Sequence, residues 1–158
     1  MKYGELNLGQ VETIVNYDQS VEEAVKAGKY DGSSNDITSG NFPSEEVGIK
    51  EVSIELVHFG RGMKPDEVLS ELNKLSLRPA TLKELLALGE KHTDLQKEEF
   101  RIVALGSVWQ HPGIGRRFCA TLDGRDSKID GFGPQRFLYS LWIDVEWDDF
   151  CRFAAVRK

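Results

Sequence analysis

MKPDEVLSELNKLSLRPATLKELLALG, residues 63–89, decides how the rest of the chain is read. Pro65 suits a first helical turn, where its missing N–H is no loss, and Asp66 and Glu67 suit the positive end of the helix dipole. Val68, Leu69, Leu72 and Leu75 recur at helical spacing and predict one apolar face. Thr81 and Glu84 have the spacing of a capping box, in which the hydroxyl accepts the amide three residues on and the carboxylate reaches back. Leu82, Leu85 and Leu86 then continue as the stripe of a second helix ending near Gly89. Two consecutive amphipathic helices are expected, with Leu72, Leu82, Leu85 and Leu86 in one core.

Upstream, Val52, Ile54, Leu56 and His58 alternate with Glu51, Ser53, Glu55 and Val57, the period of a strand with one buried face. His58 then reads as a satisfied core residue. Before this strand lies KYDGSSNDITSGNFPSEEVG, residues 29–48, a long loop rich in turn formers. Ser20 and Glu23 have the spacing of a second capping box, which predicts a short helix over 21–27 that ends at Gly28. Val11 to Tyr17 alternates as a strand that pairs late or at an edge.

Downstream of Phe100, RIVALGSVW, RRFCATL, RFLYSLWIDVEW and FCRFAAVRK read as antiparallel strands. The breaks QHPGIG (110–115) and DGRDSKIDGFGPQ (123–135) read as irregular surface loops. The expected class is α+β, two amphipathic helices packed on a twisted antiparallel sheet. A chain of 158 residues suits one domain. A loop-rich extension over 1–46 precedes the core over 47–158.

Charge and cysteine usage narrow the function. The net charge is −6, and residues 101–158 carry nine Lys/Arg against seven Asp/Glu, so residues 1–100 stand at −8. Binding nucleic acid through phosphates takes several clustered cations, which makes it an unlikely partner. No stretch approaches the length of a membrane span, and MKYGELNLGQ lacks the apolar core of a secretory signal. A cytoplasmic location is expected, with Cys119 and Cys151 as small buried residues outside any essential disulfide.

The segment 63–89 resembles the two-helix region of C-type-lectin-like domains of the formylglycine-generating-enzyme and bacterial paralogous-domain kind. In that family a helix leads into an Arg-aliphatic-Pro-Thr turn and then a helix carrying Glu. Arg78, Thr81, Glu84 and Leu85 match the spacing, whereas Pro79 is one position early and Ala80 stands where the family has proline. VALGSVW resembles the family's tryptophan-and-serine strand, and CRFAAVRK its closing strand, so the resemblance covers roughly residues 50–158. It implies a lectin-like fold. The family's disulfides, its Glu-Pro-Asn or Gln-Pro-Asp sugar motif and its paired catalytic cysteines are missing, so the resemblance speaks to fold before function. The whole chain is also similar to a family of short uncharacterised bacterial proteins, through RPATLKELLALG, VALGSVW and the terminal AVRK.

Candidate site residues gather in the C-terminal half. Trp109, His111, Arg116, Arg117, Arg125 and Trp142 lie in or beside the predicted loops, together with Lys128, Phe132 and Arg136, and Trp147 opens a Trp-Asp-Asp tripeptide that resembles the calcium-site Trp-Asn-Asp of sugar-binding lectins. Aromatic and arginine side chains dominate binding hot spots, and loops held by a rigid sheet are where sites collect. Asp144, Glu146 and Asp148 alternate on a presumed strand and offer oxygen ligands to a cation such as Ca²⁺, with Arg136 and Arg152 as neutralising alternatives. No P-loop, dinucleotide fingerprint or zinc spacing occurs, so no cofactor is expected. The leading expectation is a non-enzymatic module binding a protein or small ligand. The alternatives are a small hydrolase using His111 with the 144–149 carboxylates, and a nucleic-acid-associated protein using the arginine loops.

Overall fold

Both predicted capping boxes form in the computed structural model, which describes residues 9–98, 101–127 and 133–158. The Ser20 hydroxyl accepts the Glu23 amide at 3.0 Å and the Glu23 carboxylate accepts the Ser20 amide at 3.1 Å, opening α1 (Val21–Gly28). Thr81 and Glu84 do the same for α3 (Leu82–Lys91), which runs past Gly89. Between them α2 (Pro65–Lys74) starts with Pro65 in its first turn. A single helical turn, α4 (Leu95–Glu98), follows α3. No helix among the described residues is long and apolar enough to cross a membrane.

The strands are β1 (Gly9–Asn16), β2 (Gly32–Ser33), β3 (Ile49–Val57), β4 (Leu77–Pro79), β5 (Arg101–Gln110), β6 (Arg117–Ser127), β7 (Gly133–Trp142) and β8 (Cys151–Arg157). They form one open sheet in the order β1-β3-β8-β5-β6-β7-β2, with β4 also on β8. The expected edge position of the first strand is observed. An all-antiparallel sheet is not: β5 runs parallel to β8 and β2 parallel to β7. The C-terminal strand β8 is central, taking β3 on one side and both β5 and β4 on the other. The 29–48 loop contributes β2, and the predicted loop over 123–135 is largely strand, since β6 continues to Ser127 and β7 starts at Gly133.

The sheet is covered on both faces, so there are two cores instead of the one expected. Ile54, Leu56, Ile102, Leu122 and Leu138 pack with Leu82, Leu85 and Leu86 of α3 on one face. Val57, Val103, Phe153 and Ala155 pack with Val68 and Leu72 of α2 on the other. All four leucines expected in the core are buried, but Leu72 lies across the sheet from the rest. Leu69 leaves the predicted stripe and is 39% exposed. Cover on both faces also explains why Glu55 and Val57, expected outside, are buried. His58 falls just beyond β3 as a half-buried residue whose Nε2 meets the Asp149 carbonyl at 2.6 Å, not as a core residue.

Two polar anchors fix the helices. Glu84 is fully buried and accepts from Tyr17 Oη at 2.6 Å, from the Arg78 guanidinium at 2.7 and 2.9 Å, and from the Thr81 amide at 2.8 Å. Arg136 lies over the Tyr30 ring and donates to the carbonyls of Gly28 and Gly89, tying the end of α1 to the last turn of α3. It is therefore a structural residue, not a loop cation.

Cys119 and Cys151 are free and buried, as expected. Burial pushes the Cys151 thiol up to about 11 and the Cys119 thiol higher still, so both stay protonated and unreactive at neutral pH. Thermal melts with and without reductant should coincide; a fall of many degrees on reduction would contradict the free-thiol arrangement.

Candidate binding face at the end of the sheet

An irregularity in β5 builds the site. Ala104 pairs with Ala120 and Trp109 with Phe118, so five residue steps on β5 span only two on β6. Side chains alternate along a strand, so an uninterrupted β5 would turn Trp109 away from the face that carries Ala104. The extra residues return it to that face. Gly106 permits the detour: its amide donates to the Ala80 carbonyl at 2.8 Å, and a Cβ there would sit 2.5 Å from that oxygen. Ser107 supports the same contact by accepting the Leu82 amide at 2.8 Å.

Phe118 pairs in turn with Trp142, so Trp109, Phe118 and Trp142 form a row across β5, β6 and β7. The Trp109 ring lies 5.8 Å from Phe118, 5.0 Å from His111 and 6.3 Å from the buried Phe42 of the long loop. At the other end Arg116 lies over Trp142, 4.0 Å from the ring centre. Two residues on, the Asp144 carboxylate is gripped by Arg117 at 2.5 and 3.2 Å. That guanidinium holds the Asp144 carboxyl below the usual carboxylate range.

The β5–β6 turn is fixed by its own hydrogen bonds. The His111 amide donates to the Arg116 carbonyl at 2.8 Å, and the Gly115 amide to the His111 carbonyl at 2.7 Å. The Gly113 amide donates to His111 Nδ1 at 2.9 Å, which makes Nδ1 the acceptor nitrogen of the ring. Gly115 takes a φ of +70°, open to glycine at no steric cost. The turn holds up Ile114, which is 59% exposed.

Of the predicted site residues, Trp109, His111, Arg116, Arg117 and Trp142 meet here. Trp147 does not: it is buried, edge-on to Phe153, with its backbone bonded to Met63 in both directions. Arg125 lies apart on β6, in a shallow cleft of about 290 Å³ with Asp123, Phe137 and Tyr139. Lys128 and Phe132 fall outside the described residues. Phe118, Phe42 and Ile114 belong to the face and were not anticipated.

The presumed strand carrying Asp144, Glu146 and Asp148 is absent, because β7 ends at Trp142 and the chain bends through 143–145. The three carboxylates form no metal-holding group, and none occurs among the described residues. Arg117 neutralises Asp144, whereas the anticipated Arg136 is engaged over Tyr30 and at the carbonyls of Gly28 and Gly89. Asp144 and Glu146 instead line a cleft of about 360 Å³ with residues 64–67 at the start of α2, and His111 is not part of its lining. A calcium site would stabilise the fold by about 2.7 kcal/mol at a hundredfold excess over its dissociation constant. Melts in millimolar calcium and in chelator are expected to coincide. A calcium-dependent rise that disappears in Asp148→Ala would refute this.

No protein-family model, no curated protein and no solved structure matches this chain.

Proposed function

We propose that the chain is a non-enzymatic, cytoplasmic binding module with a C-type-lectin-like α+β fold, recognising a protein or small ligand through the aromatic row at the end of its sheet. The observation that carries this reading is the register alignment of Trp109, Phe118 and Trp142 on three adjacent strands, with Arg116 over the last ring. Tryptophan and arginine supply most binding hot spots, and residues on paired strands need little ordering when a ligand arrives. Trp142 keeps 37% of its surface exposed, although burying it against neighbours would be favourable. The lectin-like fold is supported by the residues that carry the resemblance. Arg78, Thr81 and Glu84 join the two helices in one hydrogen-bonded turn, and the closing strand β8 runs beside β3 and β5.

The three tryptophans allow a direct test, because each gives its own indole N–H resonance. Titration with short peptides, oligosaccharides and oligonucleotides should yield a ligand that shifts Trp109 and Trp142 while the buried Trp147 serves as the internal reference. Trp142→Ala should then weaken binding about tenfold or more without lowering the melting temperature. Ligands that instead shift residues 64–67 and leave the row unmoved would overturn the reading, as would a hydrolytic activity abolished by His111→Ala.

A further inference from the structure

We infer that the partner of this face is a protein segment presenting a carboxylate beside an apolar side chain, with the carboxylate received by Arg116. The inference rests on the binding-module reading and names its ligand. Among the described residues Arg116 has no carboxylate partner, whereas Arg101 and Arg117 each grip an aspartate. It lies over the Trp142 ring and donates to no side chain among the described residues, which leaves its N–H fork for a carboxylate to meet bidentately.

The cation is held in place before any ligand arrives. Arg116 packs over the Trp142 ring, and the hydrogen-bonded turn fixes the backbone of residues 111–116. Less side-chain freedom is then left to lose on binding than for an arginine with no ring beneath it. Ile114, two residues before it in the turn and 59% exposed, supplies the apolar contact beside it.

The same charges favour a peptide over nucleic acid. Of the two adjacent arginines, Arg117 is already neutralised by Asp144, which leaves Arg116 as the one without a carboxylate among the described residues. A phosphate backbone needs several, and the chain as a whole stands at −6.

Fluorescence anisotropy with two labelled short peptides tests this, one alternating Glu and Leu, the other with every Glu replaced by Lys. The wild-type protein should prefer the acidic peptide by about tenfold, and Arg116→Glu should reverse that preference with an unchanged melting temperature. Equal binding of the two peptides, or a preference untouched by Arg116→Glu, would overturn the inference. So would a labelled single-stranded oligonucleotide binding more tightly than the acidic peptide. If neither peptide binds while an oligosaccharide still shifts the Trp109 and Trp142 signals, the acidic partner is wrong and the binding face stands. If no probe moves those signals, both fail.

Discussion

Replacing Glu84 by alanine is expected to cost about 3–5 kcal/mol, because it removes one member of a buried ion pair and strands the others. Tyr17 Oη, the Arg78 guanidinium and the Thr81 amide all lose their acceptor at once. The half-buried Arg78 would then be left with an uncompensated charge, which explains why a double variant is informative. Arg78→Met with Glu84→Leu should be less destabilised than Glu84→Leu alone, since no lone charge remains. Equilibrium urea unfolding of the two variants decides it, and a double variant as unstable as the sum of the single ones would contradict the pairing.

Glu84 also predicts a pH dependence. Burial alone raises its carboxyl, but hydrogen bonds from Arg78, Tyr17 and Thr81 outweigh burial and hold it below the ordinary value. A carboxyl lowered in the folded state contributes stability that is fully present above its unfolded value of about 4.3 and is lost as pH falls through the folded value. Unfolding free energies from pH 7 down to pH 3 should therefore drop more steeply at the acid end for the wild type than for Glu84→Gln. Parallel curves would show that Glu84 takes no part in acid unfolding.

The capping half of this anchor was legible in sequence because its signal is local, whereas the pairing of Glu84 with Tyr17 and Arg78 was not. Ser20 with Glu23, and Thr81 with Glu84, lie three residues apart, and a capping box needs only that spacing and a backbone free to begin a helix. Strand β3 was legible for the same reason, through its alternation. The second core was not anticipated, although the sequence carries its signal in the uninterrupted apolar stretches Ile102–Leu105 and Phe153–Ala155, all of them buried. A strand covered on both faces does not alternate. Those runs indicate a sheet between two helical layers, and a parallel neighbour such as β5 on β8 is usual in that setting.

The binding face was legible only in part. Trp109, His111, Arg116, Arg117 and Trp142 announce themselves by residue type. What brings them together does not, because the detour in β5 depends on Gly106 meeting the Ala80 carbonyl, a contact between segments distant in sequence. Its consequence reaches Phe118, which looks in sequence like any strand phenylalanine and stands at the centre of the row. The carboxylates failed as a metal site for a related reason. Their alternation mimics a strand, yet the ladder stops at Trp142, and beyond it the period-two rule no longer says where a side chain points.

The division into two cores leads to the other large effect. Leu72→Ala and Leu85→Ala should each cost about 2–5 kcal/mol, since both side chains are fully buried and each truncation leaves a cavity. Leu72 belongs to the α2 face of the sheet and Leu85 to the α3 face, with strands β3, β8 and β5 between them. Cavities separated by a sheet share no lining, so the double variant should equal the sum of the single ones to within about 0.5 kcal/mol. Leu82→Ala with Leu85→Ala provides the contrast. These two lie one turn apart on α3 in the same cluster, so the second truncation enlarges a cavity already open and the costs should not add. Where a double variant does not fold, Ile102→Val replaces Leu85→Ala at about 0.5–1.5 kcal/mol and probes the same face. Denaturant unfolding supplies all the values. Strong coupling between Leu72 and Leu85, as large as that between Leu82 and Leu85, would mean that the sheet does not separate two cores.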